Sequence, residues 1–124
     1  MRGLNYRVID GHVEVTDGSV LVWWGDVDGQ DAYEAIALPG SDDGIVVFDW
    51  SKRPEGVEQW HPYENLVRIR RDGSIVWTAP LPGDQNSYTG VKVHDDGRLL
   101  GFLWSHTAEI DPETGEVVRW WFTK

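Results

Sequence analysis

The chain has no cysteine and one methionine among its 124 residues. Without cysteine there is no disulfide framework and no thiolate metal site, and a reducing cytoplasm is the expected location. Base is scarce as well: 11 Lys and Arg stand against 21 Asp and Glu, a formal net charge of −10. A surface of that sign repels a phosphate backbone, so nucleic acid is not an expected partner, whereas a basic protein is charge-matched. No stretch approaches the roughly 18 apolar residues of a membrane span, and the start, Met1 to Tyr6, has no apolar run of the signal-peptide kind. A soluble chain that does not bind membrane is expected.

What is abundant is tryptophan. Eight indoles, Trp23, Trp24, Trp50, Trp60, Trp77, Trp104, Trp120 and Trp121, are many for this length. Large rings suit a pleated, half-buried surface, so most are expected to fill the core of an all-β fold. Hydrophobic residues at 40% and charged residues at 26% are ordinary for one globular domain, residues 1–124, with a single core. No helix of ordinary length is visible in the pattern.

Turn chemistry divides the chain into short strands. Asp10-Gly11 and Asp17-Gly18 predict hairpins in an N-terminal segment, residues 1–31, because such turns need positive φ. Ser19 to Trp24 is almost continuously apolar and predicts a central strand covered on both faces. Ala32 to Leu38 reads as a strand rather than a short helix and ends at Pro39-Gly40. Ile45 to Trp50, Asn65 to Arg70, Ser74 to Trp77 and Tyr88 to Val93 follow, and the last third holds three more strands around the turns Asp95-Asp96-Gly97 and Asp111 to Gly115.

Part of this pattern is repeated. Phe48-Asp49-Trp50-Ser51 recurs as Phe102-Leu103-Trp104-Ser105, 54 residues on, with Asp-Asp-Gly before each copy. The turn glycine after it recurs only 42 residues on, from Gly73 to Gly115. The first copy, residues 32–79, therefore carries an insertion of about a dozen residues, placed at 52–64, that the second copy, residues 88–124, lacks. Each unit is a meander of about four strands, the size of a propeller blade.

The run Asn65 to Trp77, with its turn Arg71-Asp72-Gly73, resembles the blade signature of quinoprotein-like (PQQ-type) β-propellers. Glu109 to Val118, with the turn Asp111-Pro112-Glu113-Thr114-Gly115, resembles the partner form of that signature. The whole chain also resembles a group of small bacterial proteins of similar length. The resemblance implies an antiparallel meander of two to two-and-a-half blade-like, four-stranded units. Two or so blades do not close a ring, so the propeller is expected to be open, or to close by association with a second copy that hides its strand edges. No residues match quinone or metal ligands, so none are carried over, and blade signatures say little about activity.

Two stretches are candidate sites. Asp26, Asp28, Gln30 and Asp31 lie on a polar loop whose alternating oxygen side chains are what Ca²⁺ requires, although Gln30 and Asp31 replace an acid and the turn glycine of such loops. The alternative is a solvated acidic turn. The inserted loop is the better candidate, because loops on a rigid sheet are where binding tends to reside. Trp60, His61 and Tyr63 bring aromatic area, and Arg53, Glu55 and Glu58 bring charge, a mixture common among interface anchors. The same Trp60 and Tyr63 are equally suited to fold back over an open sheet edge.

Other reactive side chains form no constellation. His12, His61, His94 and His106 lack metal-ligand spacing. Ser51 and Ser105 sit in no nucleophile elbow, and Asp49 is expected to face outward. The function expected is a non-enzymatic protein-interaction module for a basic partner, of the immunity type that neutralises a toxin, or a self-associating one. A carbohydrate binder using Trp60, Tyr63 or Trp24 is the alternative, and a hydrolase drawing on Asp26, Asp28, Asp49 or Glu58 is third.

Overall fold

Asp10 and Gly11 take φ of 52° and 80°. This is the pair of left-handed residues that joins two strands without splaying their right-handed twist. The hairpin they close is the first of a series in the computed structural model, which describes residues 3–123. Met1, Arg2 and Lys124, the ends of the segments 1–31 and 88–124 delimited above, lie outside the described residues.

Among the described residues the protein is all-β, with no helix. Three strands form the first sheet: β1 (Asn5–Ile9), β2 (His12–Asp17) and β3 (Val20–Gly25). The second holds β4 (Ala32–Ala37), β5 (Gly44–Phe48), β6 (Leu66–Ile69) and β7 (Ile75–Thr78). The third holds β8 (Tyr88–Val93), β9 (Leu99–Leu103), β10 (His106–Ile110) and β11 (Val117–Phe122). Each sheet is an antiparallel meander in chain order, and none closes into a barrel. The N-terminal hairpins thus make a sheet of their own, packed on the second sheet and one strand short of it.

The second sheet lies between the other two, and it divides the interior into two cores rather than the single one expected. All five residues of β5 are buried. Ile45 and Val47 point into a core shared with Leu66, Tyr88, Leu99, Leu103 and Ile110, toward the third sheet. Val46 and Phe48 point into the other core, with Tyr6, Val13, Val15, Val67 and Ile69, toward the first sheet. Strand alternation sends neighbours to opposite faces, and each such side chain stabilises the fold by roughly 1.5–3 kcal/mol relative to an exposed position.

Two indoles carry this packing across the sheet boundaries. Trp23 of β3 lies over Gly73 in the β6–β7 turn, where an added Cβ would sit 2.4 Å from the ring. Trp77 of β7 lies over Gly115 in the β10–β11 turn, where an added Cβ would sit 2.5 Å from the ring. The Trp77 Nε1–H also donates to Pro112 O at 2.8 Å, and Arg68, its neighbour across the strands, donates to the same carbonyl at 2.7 Å and to Asp43 Oδ2 at 2.8 Å.

Strand β3 departs from expectation. Its apolar run predicts a strand covered on both faces, but β3 is an edge, with Val20 64%, Leu21 57% and Trp24 44% exposed. A bulge between Val15 and Thr16 leaves Val22 out of register, so of the four central residues only Trp23 turns toward the second sheet. Apolar continuity does not reveal how many neighbours a strand has.

Candidate functional site

Residues 49–65 connect β5 to β6, whereas only Trp104 and Ser105 lie between β9 and β10. At its start Asp49, half-buried, organises a tight bend: its Oδ1 accepts from the Ser51 N–H at 2.9 Å and from the Ser51 hydroxyl at 2.6 Å. Trp50 packs edge-on against Tyr33 with ring centres 4.9 Å apart.

Arg53 is the centre of the loop. Its Nε–H donates to Trp50 O at 3.0 Å, and its Nη1 donates to Glu58 O at 2.9 Å and to His61 O. The guanidinium reaches these three main-chain carbonyls from two nitrogens held in one planar fork. The same group stands 5.5 Å from the centre of the Tyr63 ring, a cation–π distance. Local turns, Val57 N–H to Pro54 O and His61 N–H to Glu58 O, each at 3.1 Å, complete the frame.

The two aromatic residues of the loop part company. Tyr63 is buried in the core between the first and second sheets. Its hydroxyl donates to Gln30 Oε1, and its N–H donates to Asn86 O at 2.7 Å. Burial pushes its phenol up to about 12, against the opposing pull of the Arg53 charge. Trp60 turns the other way. It is 69% exposed and rests on the His61 ring, with centroids 3.9 Å apart. Glu55, Glu58 and Glu64 of the same loop are exposed. Tyr63 therefore anchors the loop and Trp60 is displayed by it.

The acidic stretch folds as a hairpin tip. Val27 bridges Gln30, and Asp28 and Gly29 between them take φ of 53° and 68°. The Asp26 carboxylate lies against the His12 ring, and Asp28 Oδ2 accepts from Gln30 Nε2 at 3.0 Å. The Asp31 carbonyl accepts from the Asp49 N–H at 2.9 Å. Among the described residues no group of three or more His, Asp or Glu is placed to hold a metal ion.

The remaining histidines are apart. His94 follows β8 and His106 begins β10, at opposite ends of β9. The His94 ring accepts from the Asp96 N–H at 3.3 Å within its turn. His106 Nδ1 lies 2.9 Å from Ser105 Oγ, and its ring packs against Trp120 and Phe122. These contacts hold turns and strand ends.

Asn65, passed over in the sequence, is fully buried where the loop enters β6. Its Nδ2 donates to Phe48 O and Tyr88 O, both at 2.8 Å, and its Oδ1 accepts from the Tyr88 N–H at 2.7 Å. It ties the base of the loop to both repeat units. A polar residue opening a run of apolar ones is the only signal the sequence offers for it.

Residues 33–122, from within β4 to the end of β11, match the family described as Domain of unknown function (DUF7957). The chain belongs to this family. The DUF7957 match takes in both four-stranded sheets and the loop around Arg53, and the first sheet lies outside it. No curated protein and no solved structure matches the chain.

Proposed function

We propose that the chain is a non-enzymatic protein-interaction module that presents Trp60 to a basic protein partner. The observation that carries this reading is the pairing of a displayed indole with a loop whose main chain is already pinned by Arg53. A ring left in water costs apolar hydration that a partner removes. A loop ordered before binding loses little entropy on contact, and tryptophan is enriched among residues that dominate binding energy. Exposed Glu55, Glu58 and Glu64 on the same loop, within a chain of net charge −10, select a positively charged partner and speed its encounter. Neutralisation of a basic toxin is one role that this chemistry serves.

A carbohydrate platform is less well supported. Tyr63 is inside the core and Trp24 lies on the first sheet, so neither joins Trp60 in a common wall. For a hydrolase, Asp26, Asp28 and Asp49 are engaged in the turns described above.

The test is affinity capture from the source cell on immobilised wild type and Trp60→Ala, followed by calorimetry with the purified partner. The expected result is a basic protein bound by wild type, weakened by salt and bound about 100-fold less tightly by Trp60→Ala. Equal affinity of the two chains for every captured protein would overturn the reading.

A further inference from the structure

The stacking of the three sheets follows a rule that is left open at both ends. The first sheet seats Trp23 on Gly73 of the second, and the second seats Trp77 on Gly115 of the third. The corresponding turn of the first sheet holds Gly18, with φ of 60° and nothing within 4 Å of where a Cβ would stand. At the other end, β11 turns Arg119 and Trp121 away from the second sheet. Cross-strand register places Arg119 in a row with Glu109, Leu100 and Lys92, and Trp121 in a row with Thr107, Phe102 and Gly90. Trp121 is 36% exposed, with the Arg119 guanidinium 5.6 Å from its ring centre. One end of the series has an empty seat and the other has an unseated aromatic and cationic pair.

We propose that the occupant of each is a second copy of this chain. The outer face of the third sheet docks on the outer face of the first sheet of a second chain, and two such contacts close two chains into a ring. Charge agrees with this pairing. In the outer rows of the third sheet Lys92 and Arg119 stand with a single acid, Glu109, on an otherwise acidic chain. On the first, Glu14 and Asp26 outnumber Arg7, and Leu21 offers an apolar contact at 57% exposure. A head-to-tail contact either closes a ring or grows a filament. Two copies bring six sheets, inside the roughly four to eight that propeller-like rings contain, whereas three copies exceed it. The two faces are separate from the Trp60 loop, so the inference stands independently of the proposed function.

Head-to-tail contact has a signature that a self-complementary one lacks. Trp121→Asp spoils only the third-sheet face, and Leu21→Arg spoils only the first-sheet face. Sedimentation velocity at micromolar concentration is expected to show wild type and Trp60→Ala at twice the chain mass. Each face variant alone has one damaged partner in both contacts and is expected to run as a monomer. Their equimolar mixture keeps one contact wholly intact and is expected to recover the dimer, at lower affinity than wild type. Arg119→Glu, at an exposed site, repeats the Trp121→Asp arm, and circular dichroism confirms that each variant is folded. A monomeric wild type, a dimer that survives both variants, a mixture that stays monomeric, or a mass that grows beyond two chains would overturn the proposal.

Discussion

The carboxamide of Asn65 pairs with the main chain of Tyr88 in both directions, donating to its carbonyl at 2.8 Å and accepting from its N–H at 2.7 Å. It stands in for a strand where no strand runs, joining the second sheet to the third. Asn65→Ala leaves three buried main-chain groups without a partner, counting Phe48 O. At about 1–3 kcal/mol for each unsatisfied group, partly offset by relaxation, the expected loss is roughly 3–5 kcal/mol. Urea unfolding measures it, and a loss below about 1 kcal/mol would mean that water replaces the carboxamide.

Gly115 and Gly97 separate close approach from backbone strain. Both hold positive φ, 80° and 91°, but a Cβ at Gly115 meets the Trp77 ring and one at Gly97 meets nothing within 4 Å. Alanine at Gly97 is expected to cost about 1–2 kcal/mol from the left-handed conformation alone. Alanine at Gly115 adds overpacking of about 1–3 kcal/mol. Equal midpoints in denaturant would show that Trp77 yields freely.

Arg53→Lys keeps the charge and removes the fork. An ammonium has three donors but on one nitrogen, whereas Arg53 reaches Trp50 O from Nε and the Glu58 and His61 carbonyls from Nη1. Amide exchange at Val57 and His61, read by NMR, is expected to accelerate at least about tenfold as the loop opens locally. Global stability should fall by only about 1–2 kcal/mol. Unchanged exchange would show that the turns within the loop hold it without the guanidinium.

Alkali is expected to unfold the protein through its tyrosines. Burial pushes the Tyr63 phenol up to about 12 and raises those of Tyr6 and Tyr88 further. An unfolded tyrosine ionises near pH 10, so the unfolded chain releases these protons first. The stability they contribute is fully present below about pH 10 and is lost as pH rises toward and past 12. Ultraviolet titration should show late, cooperative phenolate formation coincident with loss of structure. A smooth titration near pH 10 for all four tyrosines, with the fold intact, would contradict this. At the acid end, hydrogen bonds from Ser74 hold Asp72 below the usual carboxylate range, and the Arg98 N–H does the same for Asp96. Their contribution is present at neutral pH and is lost as pH falls below the ordinary carboxylate range.

Much of the fold was legible because its signals are local. Asp-Gly turns, alternating strands and the repeated Phe-x-Trp-Ser are short-range features, and the hairpins stand where they indicate. The insertion was visible as a change in repeat spacing. Less of the site could be read. Trp60 and Tyr63 are three residues apart and chemically alike, and nothing in their spacing says that one is buried and the other displayed. That difference comes from Gln30 and Asn86, which receive the hydroxyl and the N–H of Tyr63 from distant parts of the chain.

The sequence by itself determined the all-β class, the approximate strand positions and the acidic charge, because each follows from turn preference, alternation or composition. The tertiary structure alone decided which strands are edges, that one sheet is buried on both faces, which aromatic ring faces water and which glycine receives an indole. Those outcomes depend on what stands opposite each residue across a sheet boundary. An apolar strand such as β3 looks the same in sequence whether it meets a neighbour on one face or on two.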